Sequence, residues 1–142
     1  MDLLQLFNQE MASLKFMSLA TSVNNMPNVR VVNFGYNPAT PRLVYFSTFK
    51  GNQKIEEMAE NANVALMPLP LLDTADIQVR ITGKARPSTL TLQQLTPMMT
   101  AKDPGFAETS HNVGPMLTVY EVEITHATLT LGMNDAVEVP LG

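Results

Sequence analysis

Two lysines, Lys50 and Lys54, lie at the predicted start of a helix within YFSTFKGNQKIEEMAEN, residues 45–61. A helix N-terminus carries a partial positive charge, so lysines there are slightly unfavourable, whereas an anion is stabilised. Free backbone amides and two ammonium groups would together bind an anion, and phosphate is the commonest ligand of such sites. The alternative is that Lys54 pairs with Glu57 and that Lys50 is a solvated loop charge.

Arg30 lies in a strand that is otherwise rich in valine, residues 28–34. Alternation places its side chain on the same face as Val32 and Phe34. A guanidinium on an apolar face requires a partner, because an uncompensated charge in a low-dielectric environment is costly. That partner is expected to be a carboxylate such as Asp76, or a phosphate of a bound ligand.

The other polar residues give weaker signals for chemistry. The alternating side chains of residues 78–86 are typical of a solvated sheet face, and His111 and His126 are interpreted as structural or surface residues. The chain has no cysteine, so disulfides, thiolate metal sites and cysteine nucleophiles are excluded. Neither GxxxxGK[ST] nor GxGxxG is present. We therefore assign no metal site and no catalytic acid or base.

Composition favours one globular domain spanning residues 1–142, with a core at about 14–132. Of the 142 residues, 45% are hydrophobic and 15% are charged, which leaves neutral surface for self-association. The net charge of −4 is uneven, since residues 1–102 hold nine basic and seven acidic side chains and residues 103–142 hold six acids and no base. This balance of charges suits the binding of one small anion rather than of nucleic acid.

Without an apolar run long enough for a signal peptide or membrane span, we expect a cytoplasmic protein.

Strand signals outnumber helix signals along the chain. Period-2 patterns and turn residues predict antiparallel strands, the first three of them in a meander, whereas 3.6-residue spacing predicts peripheral helices. Strands are predicted at 16–22, 29–36, 43–48, 63–69, 76–86 and 116–131; helices at 2–13, 52–61 (with Asn52 as N-cap) and near 89–96, interrupted by Pro97; a loop at 100–115; and a tail over the last ten residues. Six strands with only one strand–helix–strand crossover favour a mainly β, antiparallel barrel.

Five sequence pieces, in this order and spacing, resemble the pyridoxamine 5′-phosphate oxidase-like flavoproteins. The pieces are Arg30-Val31-Val32, Tyr45-Phe46-Ser47-Thr48, Lys50-Gly51-Asn52-Gln53-Lys54, Asn63-Val64-Ala65-Leu66 and residues 77–85. The resemblance covers roughly residues 16–87. It implies a six-stranded antiparallel split β-barrel and a homodimer with two FMN molecules at its interface.

The resemblance also implies roles for individual residues. Arg30 and Lys54 would contact the FMN phosphate, Ser47 and Thr48 would bind that phosphate or the ribityl chain, and Gln78 would reach the flavin from the neighbouring subunit. Backbone atoms of Val31, Val32 and Asn33 would meet the edge of the isoalloxazine. The lysines at the helix start would then be tolerated because a phosphate lies among them.

The chain departs from the family pattern in two places. The family's Ser-Arg-Lys phosphate loop is Asn52-Gln53-Lys54 here, so one guanidinium is missing and Lys50 is the candidate substitute. The C-terminal Arg-Leu-His motif that grips substrate phosphate in the true oxidase has no counterpart, so vitamin B6 phosphate oxidation is not expected. The predicted function is an FMN-dependent oxidoreductase acting on an unidentified small molecule. The alternatives are a non-catalytic flavin carrier, sensor or stress protein, and a haem or deazaflavin binder.

Overall fold

The computed structural model describes residues 2–69 and 77–142, which form four α-helices, a short 3-10 helix (Gly114–Met116) and one eight-stranded sheet. In chain order the elements are α1 (Leu3–Ser13), β1 (Phe16–Val23), β2 (Met26–Asn33), β3 (Gly35–Tyr36), β4 (Leu43–Phe49), α2 (Gln53–Glu60), β5 (Asn63–Leu69), β6 (Ile77–Pro87), α3 (Leu92–Thr100), α4 (Phe106–Val113), β7 (Leu117–Leu131) and β8 (Val137–Glu138). Within these ranges, no helix is both long and apolar enough to cross a membrane.

The sheet is antiparallel throughout and follows the order β2-β1-β5-β6-β7-β4-β3, with β8 beside β7. Six strands are long, and β3 and β8 have two residues each. The sheet curls so that β2 and β4 approach each other without pairing. This arrangement is the predicted mainly β, split-barrel fold, which the structure confirms.

The predicted strand 29–36 is in fact two strands separated at Phe34. β2 pairs with β1 through a two-residue turn, Asn24-Asn25, in which both residues have positive φ, as two-residue hairpin turns require. β3 pairs instead with β4, at the other end of the sheet order. The expected three-strand meander is therefore wrong, because β2 and β4 become the two sides of the split.

The barrel interior holds the main core, in which Phe7, Met17, Leu19 and Phe46 are fully buried. The long strand β6 bends at a bulge between Thr82 and Gly83. Glycine is required there, because a Cβ would lie 2.5 Å from the carbonyl oxygen of Glu123. The bend allows β6 to follow the curled sheet.

Three C-terminal predictions differ from the structure. The third helix, predicted to be interrupted at Pro97, continues through this residue to Thr100. The predicted loop at 100–115 contains helix α4. Phe106 of α4 packs in a second, smaller core with Leu95 of α3. The predicted tail contributes β8 and two buried side chains, Val139 and Leu141. All three follow from long-range packing, which local sequence patterns do not show.

Candidate cofactor site

A cavity of about 280 Å³ lies where β2 and β4 approach each other. One wall is built from the end of β2 and the end of β4, and the opposite wall comes from α4 and the residues beside it. Its lining residues are Val31, Val32, Asn33, Ser47, Thr48, Phe49, Lys54, Asp103, Phe106, Thr109, Val113 and Leu117. The lining combines apolar side chains with one ammonium and one carboxylate.

The link from β4 into α2 places a helix N-terminus beside this cavity. Gly51 has φ +80°, a left-handed conformation that glycine adopts without strain. Asn52 then caps the helix, its side-chain oxygen accepting a hydrogen bond of 3.1 Å from the Lys54 amide. The predicted N-cap is therefore confirmed. The loop fixes the direction in which α2 begins, and with it the position of the Lys54 side chain.

Lys54 is partly buried and points back to β4. Its Nζ donates a hydrogen bond of 2.9 Å to Oγ1 of Thr48, which is buried. Burial lowers the pKa of Lys54, the nearby positive charge of Arg30 lowers it further, and the Glu57 carboxylate opposes them in part. Low dielectric and a second cation both disfavour the ammonium. An anion bound here would remove that penalty.

Arg30 finds its partner in Glu57 of α2. One guanidinium nitrogen contacts Oε1 of Glu57 at 2.5 Å, and another donates to Oγ1 of Thr21 at 2.8 Å. Burial alone would raise the pKa of Glu57, but hydrogen bonds from Asn28, Arg30 and Thr21 outweigh it and hold that pKa below its usual value. The sequence predicts a carboxylate partner such as Asp76, which lies outside the described residues, or a ligand phosphate; the carboxylate that pairs with Arg30 is Glu57. The alternative pairing of Lys54 with Glu57 is not the ion pair that forms.

Two cations therefore lie near one carboxylate beside the cavity, and only Arg30 forms an ion pair with it. Arg30 and Lys54 are near enough for the charge of Arg30 to lower the pKa of Lys54, and Glu57 is the acid that acts on both. The cluster carries a net positive charge beside the polar Thr48 hydroxyl and the start of α2. Such a combination favours an anion with several acceptor oxygens.

The structure brings six of the predicted cofactor residues together in the cavity lining: Val31, Val32, Asn33, Ser47, Thr48 and Lys54. Arg30 and Asn52 flank the site: Arg30 pairs with Glu57, and Asn52 accepts a hydrogen bond from the Lys54 amide. Lys50 and Gln53 are exposed and do not line the cavity. Gln78 lies on β6, where its Nε2 is 4.0 Å from Sδ of Met67. A single chain thus leaves Gln78 apart from the other predicted residues.

Sequence reasoning missed the wall formed by α4. Asp103, Phe106, Thr109 and Val113 line the cavity, but residues 100–115 were predicted to be a loop. The seven-residue spacing of Phe106 and Val113 was the available signal for an apolar helix face. The Asp103 carboxylate also makes an ion pair of 3.4 Å with Lys15, which ties this wall to the start of β1.

Neither histidine is among the residues that line this cavity. His111 is exposed on α4, and His126 is exposed on β7, where its Nδ1 is 3.1 Å from Oε1 of Glu138. His126 borders a separate cavity of about 430 Å³ on the outer sheet face, together with Arg80. Over residues 2–69 and 77–142, no three His, Asp or Glu side chains converge in a way that could hold a metal ion.

Solved structures of other proteins share this fold at low sequence identity. A protein of the pyridoxinephosphate oxidase family from Clostridium acetobutylicum, related to general stress protein 26, matches with a TM-score of 0.71 at 14% identity, covering 98% of this chain and 97% of its own. An FAD-binding protein from Mesorhizobium loti matches with a TM-score of 0.65 at 13% identity, covering 88% and 91%. The haem storage protein HutZ from Vibrio cholerae matches with a TM-score of 0.72 at 13% identity, covering 95% and 100%.

These likenesses show the shared fold, and proteins with that fold bind more than one kind of cofactor. No curated protein matches the chain in sequence. The family model described as pyridoxamine 5′-phosphate oxidase-like matches residues 10–136, which is most of the chain. This protein therefore belongs to the pyridoxamine 5′-phosphate oxidase-like family.

Proposed function

We propose that the protein binds FMN in the cavity between β2, β4 and α4 and is an FMN-dependent oxidoreductase acting on a small molecule. The observation that carries this proposal is the cluster of Arg30 and Lys54 beside the start of α2, with one nearby carboxylate, Glu57, that pairs with Arg30. A phosphate with nearly two negative charges would compensate both cations. Family membership supports the same cofactor class.

The residues of the cavity fit the other parts of FMN. Val31, Val32 and Phe106 offer apolar contacts for an aromatic ring system, and Ser47 adds a hydroxyl to the same lining. FMN supplies the electron-transfer chemistry when bound. The role of this chain is to bind the phosphate, to orient the ring against β2 and to exclude water with α4. We assign no acid or base to the reaction.

We further propose that a second copy of the chain completes the site. The cavity is slightly smaller than the range of about 300–1,000 Å³ typical of ligand pockets. Two apolar side chains at its rim, Val31 and Phe49, are 59% and 50% exposed. Gln78 is the predicted contact from the partner, and two-fold homodimers are the commonest closed assembly. Sedimentation at micromolar concentration tests this: a monomer that binds one FMN per chain would contradict it.

Cofactor titration tests the binding site. FMN should bind at least about a hundredfold more tightly than riboflavin, because losing two charge-assisted hydrogen bonds costs about 1.5–3 kcal/mol each. Fluorescence quenching of each flavin gives the two dissociation constants. Equal affinities would contradict the assignment of Arg30 and Lys54 to the phosphate, even if flavin binds.

Turnover is tested separately from binding. Reduction of the bound flavin by NADH or NADPH, followed by reoxidation with an added acceptor, would support an oxidoreductase, whereas an inert bound flavin would favour a carrier or sensor. Pyridoxamine 5′-phosphate should not be oxidised efficiently, because no lysine or arginine follows Lys102 to hold a second phosphate. Formation of pyridoxal 5′-phosphate at roughly 1 per second or faster would contradict that expectation.

Haem is the second candidate cofactor, favoured by the pair of His126 and Glu138. A histidine that ligates a metal usually donates its other ring N–H to a carboxylate, and the Nδ1 contact of His126 to Glu138 leaves Nε2 for ligation. Arg80 in the same cavity is a partner for a haem propionate. The visible spectrum of the purified protein separates the two candidates. A Soret band that His126→Ala removes and His111→Ala retains would favour haem over FMN.

A further inference from the structure

Asp103 contributes a carboxylate to the α4 side of the cofactor cavity. Within the part of the chain that the structure describes, it is the only acidic side chain in the cavity lining. Its Oδ1 accepts a hydrogen bond of 3.2 Å from the Gly105 amide, and its Oδ2 lies 3.4 Å from Nζ of Lys15. An ionised carboxylate has about four acceptor positions. These two contacts therefore leave acceptor capacity for a ligand that enters the cavity.

Two lysines hold this carboxylate beside the C-terminal end of β2. The carbonyl oxygen of Lys15, whose side chain pairs with Asp103, accepts a hydrogen bond of 3.3 Å from the Phe34 amide. Lys102 directly precedes Asp103 and donates a hydrogen bond of 3.2 Å to the Phe34 carbonyl oxygen. Asn33, the last residue of β2, lines the same cavity. Asp103 is therefore fixed at the end of the cavity where β2 ends.

The cations proposed for the phosphate lie at a different position along the cavity. Arg30 precedes Asn33 by three residues on β2, which corresponds to roughly 10 Å in an extended strand. Lys54 is bonded to Thr48 of β4 at the start of α2. The site thus has positive charge beside α2 and a carboxylate where β2 ends. This asymmetry orients FMN, because Lys54 attracts its phosphate and Asp103 repels it.

We propose that Asp103 accepts a hydrogen bond from N3–H of the flavin ring and lowers the reduction potential of the bound flavin. The inference rests on the proposed binding of FMN. N3–H is the only N–H donor of the oxidised isoalloxazine. Reduction increases the negative charge of the ring, so a nearby carboxylate disfavours the reduced form. Lys15 compensates Asp103 only in part, because their ion pair is partly exposed to solvent.

A flavin without the N3 proton tests the hydrogen bond. 3-Methyl-FMN keeps the phosphate and the ring but carries a methyl group on N3. The unmodified protein should bind FMN about tenfold or more tightly than 3-methyl-FMN, because a hydrogen bond to a carboxylate is lost. Asp103→Asn should reduce this affinity ratio several-fold. Glu108→Gln is the matched control on α4, since Glu108 is exposed and does not line the cavity, and it should keep the full ratio.

Fluorescence quenching measures these affinities, and its outcomes separate the two proposals. A ratio that Asp103→Asn leaves unchanged, or that Glu108→Gln reduces equally, would overturn the role of Asp103. Failure of the unmodified protein to bind either flavin would instead overturn the proposed cofactor.

The midpoint potential of bound FMN tests the effect of the charge. Photoreduction against reference dyes measures this potential without a substrate. Asp103→Asn should raise the affinity for reduced relative to oxidised FMN about tenfold, which corresponds to about 30 mV in a two-electron couple. Glu108→Gln should change the potential less. An unchanged or lowered potential in Asp103→Asn would overturn the proposal. If Asp103→Asn does not fold, Lys15→Met should lower the potential by leaving the carboxylate uncompensated, and a rise would overturn the proposal.

Discussion

Two ionic clusters in this protein use the same residue types in opposite proportions. In the anion cluster, formed by Arg30, Lys54 and Glu57 beside a cavity, Arg30 pairs with the single carboxylate of Glu57 and Lys54 bonds to Thr48. In the strand-clamp cluster, formed by Arg86, Glu121, Glu123 and Ser88, one guanidinium meets two carboxylates. The Ser88 hydroxyl donates a further hydrogen bond of 2.7 Å to Glu121.

The two clusters differ in their ratio of cations to carboxylates, and this ratio indicates which cluster is suited to bind an anion and which one stabilises the fold. The strand-clamp cluster satisfies its cation completely and connects the ends of β6 and β7 across a paired register. The anion cluster has more cation than anion, so it can accept a ligand oxyanion without displacing its own carboxylate. A local excess of partly buried positive charge is therefore a better sign of a phosphate site than the presence of an ion pair.

The largest expected effect is on cofactor affinity. Lys54→Met should weaken FMN binding about tenfold or more, because one charge-assisted hydrogen bond to phosphate is worth about 1.5–3 kcal/mol. Riboflavin affinity should stay unchanged, since riboflavin lacks the phosphate. Arg86→Met is the matched control in the strand-clamp cluster and should leave both affinities unchanged. Titration of each variant with FMN and riboflavin measures this, and an equal loss for both flavins would contradict the role of Lys54.

In stability the two variants should rank the other way round: Arg86→Met should lower the free energy of unfolding more than Lys54→Met does. Arg86→Met leaves the buried Glu121 carboxylate without its cation, so the free energy of unfolding should fall by about 1–3 kcal/mol. Lys54→Met removes an ammonium whose pKa is lowered by burial, so it should be close to neutral or stabilising. Urea denaturation measures both. A larger loss for Lys54→Met than for Arg86→Met would show that the anion cluster is itself a structural clamp.

Glu57→Gln should change affinity and stability in opposite directions. Removing the carboxylate frees Arg30 and removes a negative charge near the phosphate, so FMN should bind several times more tightly. The free protein should be less stable, because the partly buried Arg30 loses its ion-pair partner and the charge of Lys54 is no longer partly compensated. The pKa of Glu57 is lowered, so its stabilising contribution is present above the unfolded pKa and is lost as pH falls through the folded value. Weaker FMN binding by Glu57→Gln would mean that Glu57 positions Arg30 for the phosphate.

The last expected effect is a pH dependence of stability caused by Lys102. Its folded pKa of about 7 lies below the unfolded value of 10.5, so between these pH values the unfolded chain holds more protons and stability rises with pH. Lys102→Met should remove part of this rise. The free energies of unfolding at pH 6.5 and pH 9, compared between the two proteins, give the difference. An identical rise in both would show that Lys102 is more hydrated than its contacts indicate.

Much of the sheet could be predicted from local pattern. Five of the predicted strands and the α2 helix with its Asn52 cap were located within a few residues, because side-chain alternation and capping depend only on near neighbours. Helix α4 could not be predicted in this way. It has eight residues and no side-chain cap, so it is too short to be stable alone. It forms because Phe106 packs against Leu95 and Val119.

The sequence alone indicated five of the six long strands, the split-barrel family and candidate residues for a phosphate, but it indicated neither helix α4 nor strand β8. It did not determine which of these residues meet. The tertiary structure decided that Arg30 pairs with Glu57, 27 positions along the chain, that Gln78 lies apart from Lys54, and that α4 closes the cavity. The physical reason is range: alternation, capping and turn geometry involve residues a few positions apart, whereas partners across the barrel depend on the register and curl of the whole sheet.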